Sequence, residues 1–220
     1  MMFRLFAVLL RRELFLRARR PVEWVLPLLF FPLIVAVFAL ATGGRGEVLR
    51  IAGGGILWTA AAFAALLAQE AVFRADREAG IIEQLLTSPR SLIAVAFGKA
   101  AAHWLYTGAP LTLLCPLVAL LAQQAALWTL TAAMALGSMV FSLLAVFVSA
   151  LSGKNGALAA FIALPFCLPV LIFAAAASEA AATGQPLVAH FSLLAAMLSF
   201  SLTVLPLATA GALRADGGDD

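Results

Sequence analysis

Few side chains in this sequence have the types and spacing that chemistry requires. Its imidazoles are His103 and His190 and its thiols Cys115 and Cys167, a sparse set for a metal centre or a covalent nucleophile. The cysteines form no C-x-x-C pattern, and each stands near a proline in an apolar run, as Cys115-Pro116 and Cys167-Leu168-Pro169. They read as small apolar packing residues. No G-x-x-x-x-G-K-[ST] stretch exists: Gly98-Lys99 has Ile93 and Ala94 upstream, where the first loop glycine should stand, and Ala100 behind it. The chain cannot cradle nucleotide phosphates by itself, so energy for uphill movement must come from another subunit or an ion gradient. The densest group of charges, Glu70, Arg74, Asp76, Arg77, Glu78 and Glu83, falls in one polar segment, residues 70–99.

The elements that must carry these groups are apolar. Of 220 residues, 64% are hydrophobic and 11% charged, against about 25% charged in a soluble domain. A hydrocarbon core about 30 Å thick takes roughly 20 apolar residues per helix, and six runs qualify: 22–41, 48–68, 100–122, 127–151, 157–177 and 187–213. They lack strict two-residue alternation, so helices fit and a transmembrane barrel does not. None of the six has a carboxylate near its centre, with Glu70 and Glu179 at span ends, which argues against a proton-coupled carrier. Prolines interrupt four runs (Pro27 and Pro32; Pro110 and Pro116; Pro165 and Pro169; Pro206) and can bend those helices or be ordinary membrane prolines. Ala133 with Gly137 and Ser138 with Ser142 offer close packing on the fourth.

Basic residues set the orientation. Arg4, Arg11, Arg12, Arg17, Arg19 and Arg20 precede the first run; Arg74, Arg77, Arg90 and Lys99 lie between the second and third; Lys154 follows the fourth and Arg214 the sixth. Arg45 and Arg50 fall on the other side. The excess places both termini in the cytoplasm, and makes the basic balance an orientation signal rather than a mark of nucleic-acid binding. Residues 1–20 are no cleavable signal, because the run that follows is too long, contains prolines and is succeeded by five more. Phe3, Phe6, Ala7, Leu10 and Leu14 share one helical face with Arg4, Arg11, Arg12 and Arg19 mostly opposite. That pattern fits an amphipathic helix in the headgroup layer or a plain basic anchor, and Arg17 interrupts its apolar stripe. Trp24, Trp104, Tyr106 and Trp128 are placed as interface anchors.

Within residues 70–99, Gly80 can end one helix, Ile81 to Leu86 form a short helix with two apolar pairs, Ser88-Pro89 breaks it, and Ser91 can cap the next. The spacing leaves two readings, a loop whose apolar residues fold back on the bilayer or a knob that fits a cytosolic partner.

Arg77-Glu78-Ala79-Gly80-Ile81-Ile82-Glu83-Gln84-Leu85-Leu86-Thr87-Ser88-Pro89, followed by Gly98-Lys99, resembles the E-x-G-x-x-E-x-L-x-x-S/T-P stretch of ABC-2-type exporter permeases. Further matches are Pro27-Leu28-Leu29-Phe30-Phe31, Gly55-Ile56-Leu57-Trp58, Phe73-Arg74-Ala75-Asp76, Ala102-His103-Trp104-Leu105-Tyr106-Thr107-Gly108-Ala109-Pro110-Leu111 and Leu205-Pro206-Leu207-Ala208-Thr209-Ala210. With them the chain, from about Arg11 to Arg214, looks like a member of the haem exporter B (CcmB) family.

The resemblance implies an all-α ABC-2-type permease of six transmembrane helices behind an N-terminal elbow helix, in a bacterial inner membrane. It implies a cytochrome c maturation complex in which a cytosolic ATPase, in two copies, holds the ATP, alongside a second copy of this chain, haem-handling membrane proteins and a periplasmic haem chaperone. The ATP work would export haem or release the loaded chaperone. Asp76, Arg77, Glu78, Gly80, Ile81, Ile82, Glu83, Gln84, Leu85, Leu86, Ser88 and Pro89 would then meet the ATPase. Because imidazole is a common axial ligand, His103 with Trp104 and Tyr106, and His190, become candidates for haem contact or for helix packing. No cofactor is assigned to the chain itself. Two other functions stay open, a scaffold subunit that moves no solute and a general ABC-2 exporter of a drug or lipid.

Overall fold

In hydrocarbon every backbone polar group must be satisfied within its own segment, and apolar runs of this length meet that demand as helices. The computed structural model describes residues 2–43, 46–69, 71–89, 91–153 and 156–216, and among them there is no strand. Of the residues singled out above, Arg45, Glu70, Arg90 and Lys154 lie outside the described residues, as do the side chains of Phe3 and Arg4. The first element is α1 (Met2–Ala18), followed by α2 (Val22–Ala41), α3 (Gly46–Gln69), α4 (Ala71–Glu78) and α5 (Ile81–Thr87). Then come α6 (Leu92–His103), α7 (Ala109–Leu121), α8 (Leu127–Leu151), α9 (Gly156–Ala182) and α10 (Val188–Asp216). Among the described residues six stretches are long and apolar enough to cross a membrane, so the molecule is an all-α, multi-pass membrane protein with an additional N-terminal helix.

α8 is the axle of the bundle. It packs against α3, α6, α7, α9 and α10, and 72% of its most apolar stretch is buried, against 17% in α2 and 22% in α10. The two outer helices therefore offer apolar side chains such as Leu29, Leu33, Phe200 and Leu207 to the surroundings, as lipid contact requires. Small residues let the axle approach its neighbours. At Gly137 the buried Trp58 ring lies so close that a Cβ would stand 2.8 Å from it. The indole Nε1 of Trp58 donates to Ser178 Oγ at 3.4 Å, so one side chain ties α3, α8 and α9 together.

The third crossing differs from the expected run, which started near Ala100. It begins at Leu92, and α6 joins α7 through one wide π-turn, Trp104–Gly108, in which the Ala109 N–H reaches back to the Trp104 carbonyl. Pro110 explains the widening, because it has no N–H to give and its ring would strike the carbonyl four residues earlier in a regular helix. Gly108 sits under the Trp104 indole, which leaves no room for a Cβ. α9, the fifth crossing, also extends past its apolar run, to Ala182, and brings Glu179 into its last turn.

Candidate functional site

The polar segment between α3 and α6 is built by local rules. Gly80, at φ 62°, takes the left-handed conformation that ends α4. α5 then runs only to Thr87 before Ser88 turns extended ahead of Pro89, and Ser91 Oγ accepts from the Ala94 N–H to cap α6. The seven residues of α5 divide by face. Ile82 is buried in the main core and Leu86 packs against that core, while Ile81 and Leu85 line a crevice with Leu9 of α1 and Val95 of α6. Glu83, Gln84 and Thr87 are exposed, as are Glu78, Ala79 and Pro89 on either side. The displayed surface is thus acidic and polar. The sequence left open whether the apolar pairs fold back on the bilayer or form a knob for a partner; here they pack against the protein itself.

Behind this surface lies a joint of four charges that the sequence did not reveal. Lys99 of α6 and Asp76 of α4 are only 4% and 2% exposed and form an ion pair. The Lys99 ammonium also donates to Glu13 Oε2 of α1 at 3.1 Å and to the Val72 carbonyl at 2.9 Å. Arg12 completes the ring, donating to Asp76 Oδ1 at 2.7 Å and to Glu13 Oε1 at 2.8 Å. Two cations and two carboxylates cancel, which is the condition under which charges can be buried.

Arg77, next along α4, reaches the end of the axle. Its two terminal nitrogens donate to the Ser149 and Ala150 carbonyls, each at 3.1 Å, and so cap the last turn of α8. Between Lys99 and Arg77 lies the buried ring of Phe73, 4.7 Å and 5.8 Å from the two charges. Of the residues expected to face a partner, Asp76, Arg77 and Ile82 therefore brace the protein from within, whereas Glu78, Glu83 and Gln84 face out.

The helix α1 is clamped by the same joint. Glu13 and Arg17, four residues apart and so on one face, are both buried. The Tyr106 hydroxyl from the π-turn donates to the Leu14 carbonyl, and its ring centroid lies 5.7 Å from that of Trp24, the planes tilted by 45°. Arg17 thus belongs to the buried face of α1 with Leu9 and Glu13, while Ala7 of the expected apolar stripe is exposed, as are Val8, Arg11, Phe15, Leu16 and Arg19. A Glu at i and an Arg at i+4 inside an apolar stripe was the signal available.

His103 lies in the bundle, 1% exposed, with Nδ1 3.1 Å from Ser142 Oγ on the axle. Trp104 Nε1 donates to Ser138 Oγ at 3.1 Å, one turn along. His103 Nε2 and Thr107 Oγ1 are buried without a hydrogen-bond partner among the described residues, and the gap they line with Ser138 and Ser142 has no space for a water-sized sphere. His103, Trp104 and Tyr106 are accordingly placed in helix packing in this conformation. His190 is half-buried in the first turn of α10 at the other end of the bundle. Among the described residues no three His, Cys, Asp or Glu side chains converge as metal ligands, and Cys115 and Cys167 are buried free thiols.

Comparison with known proteins covers nearly the whole chain. The family described as CcmB protein matches residues 4–216. Heme exporter protein B of Pseudomonas aeruginosa is 38% identical over 223 residues, spanning 99% of this chain and all of that protein. The protein of the same name from Haemophilus influenzae is 37% identical, covering 96% of this chain and 97% of the relative. Its counterpart in Escherichia coli K12 is 38% identical, covering 93% and 95%.

Proposed function

The chain belongs to the CcmB family, and from that premise we propose that it is the membrane subunit of an ATP-driven complex for cytochrome c maturation. Hydrolysis by a partner subunit would be coupled to haem export or to release of a haem-loaded periplasmic chaperone. The observation that carries this reading is the full-length likeness to proteins named heme exporter protein B. In this reading the basic end of the bundle is cytoplasmic in the inner membrane, both termini lie on that side, and two chains pair with two ATPase subunits.

The geometry supports a specific route for the coupling. An ATPase seated on Glu78, Glu83 and Gln84 would push on α5, whose Ile82 is anchored in the core. α4 would carry that push through Asp76 to Lys99 at the start of the third crossing, and through Arg77 to the end of the axle. A basic groove on the partner is the complement these carboxylates require.

Purification of the tagged chain in mild detergent, with identification of co-purifying proteins and an ATPase assay on the eluate, tests the reading. A stoichiometric nucleotide-binding subunit together with haem-handling membrane proteins is the expected result. An ATPase without haem-handling partners would replace the reading by a general exporter, and no ATPase at all would replace it by a scaffold. In the intact complex, Glu83→Lys should lower ATPase-dependent cytochrome c assembly while leaving insertion of the chain unchanged.

A further inference from the structure

At the end of the bundle opposite the charge joint, α3 and α9 part to leave a cleft of about 620 Å³. Its mouth carries two opposite charges, Arg50 in the first turns of α3 and Glu179 in the last turn of α9, both exposed. Among the described residues neither has an ion-pair partner. Below them the lining is mixed: Ala52, Ala175 and Ala176 are apolar and Gln124, Ser178 and Thr183 polar, while Ile51 and Ile172 are 73% and 61% exposed.

The glycines of α3 sharpen the picture. Each glycine inside a helix costs about 0.5–1 kcal/mol relative to alanine, and three stand together at Gly53, Gly54 and Gly55. Two have packing reasons. A Cβ at Gly53 would run into the Ala122 carbonyl and the Gln124 side chain, and one at Gly54 would stand 3.1 Å from Ser178 Cβ. Gly55 has none: a Cβ there meets nothing within 4 Å, and the residue lines the cleft. The helix forgoes a side chain at the one position where adding it would fill only empty space.

We propose that this cleft is a binding site for one phospholipid with a zwitterionic head, its phosphate on Arg50 and its primary ammonium on Glu179, with an acyl chain lying past Gly55. The two charges sit one turn from the ends of their helices, at the level a headgroup would take, and the exposed Ile51 and Ile172 flank the cleft beside Gly55, where an acyl chain would lie. A carboxylate accepts hydrogen bonds from a primary ammonium, and a quaternary choline has none to donate. Phosphatidylethanolamine therefore binds before phosphatidylcholine, and before phosphatidylglycerol, whose head offers Glu179 no cation. The inference concerns the chain alone and stands apart from the ATPase reading.

The test uses the full chain reconstituted in nanodiscs of equal parts phosphatidylethanolamine, phosphatidylglycerol and phosphatidylcholine, re-extracted and washed, with retained lipid counted by native mass spectrometry. About one phosphatidylethanolamine per wild-type chain is expected. Glu179→Gln should cut its preference over the other two about tenfold, and Gly55→Phe should abolish retention. Gly55→Ala, which meets no neighbour, controls for folding and should leave the helix intact. Equal retention of the three lipids by the wild type, or an unchanged lipid count in Gly55→Phe, overturns the proposal. A shift of Gly55→Phe from dimer to monomer with lipid retention unaltered also overturns it and makes the cleft a contact between copies of the chain.

Discussion

The two ends of the bundle handle opposite charges in opposite ways. At the end that carries α1, α4 and α6, Arg12, Glu13, Asp76 and Lys99 are drawn together, mutually paired and mostly buried. At the other end Arg50 and Glu179 line one cleft, exposed and without ion-pair partners among the described residues. Buried charges held by hydrogen bonds make a stiff connection, since removing one strands the rest in a poor dielectric. Exposed charges at a cleft cost little to keep and remain available to a ligand. One end holds its charges among themselves, and the other leaves them open to a ligand.

The sharpest way to break this contrast is Lys99→Met. It leaves two carboxylates against Arg12 alone, and should destabilise the chain by about 3–5 kcal/mol, read as a lowered unfolding temperature in detergent. Asp76→Leu added to Lys99→Met should restore part of that loss, whereas a merely additive pair would mean that the two groups do not interact.

Next in size is a pair of glycines that look alike in sequence. Gly137→Ala drives a Cβ into the Trp58 ring and should cost about 1–3 kcal/mol through overpacking. Gly55→Ala meets open space and should stabilise the apo chain by about 0.5–1 kcal/mol. Thermal unfolding of the two variants side by side checks both signs at once, and two shifts of the same sign would mean that helix propensity alone governs these positions.

Arg77→Gln should have a smaller effect, about 1–2 kcal/mol, because the two α8 carbonyls at Ser149 and Ala150 lose a charged donor. Hydrogen exchange should rise in the last turn of α8 and not at its centre. Faster exchange along the whole helix would show instead that Arg77 supports the core.

What could be read from the residues was whatever is local. The six apolar stretches, the left-handed stop at Gly80 and the Ser91 cap depend on neighbours a few positions apart. The charge joint does not: Arg12 meets Asp76 across 64 positions and Glu13 meets Lys99 across 86. Asp76 therefore reads in sequence as one more exposed charge in a polar segment. Trp58 over Gly137 and the π-turn at Trp104–Gly108 are hidden for the same reason, although Pro110 announced that some carbonyl upstream would lose its donor. Gly55 lay in a motif that carried the family resemblance, but only the empty space above it separates it from Gly53 and Gly54.

The smallest effect is the most informative about function. Glu83→Gln removes a charge that faces out from α5, and should move stability by no more than about 0.5 kcal/mol. If the acidic face of α5 is what a partner reads, the same change should weaken association with the ATPase and make it less sensitive to salt, because one charge pair has been deleted at the rim of the contact. Lys99→Met reports on the joint through stability, and Glu83→Gln on the surface through binding. A Glu83→Gln chain that loses stability but binds its ATPase normally would reverse those roles and put the stiff element at α5 rather than behind it.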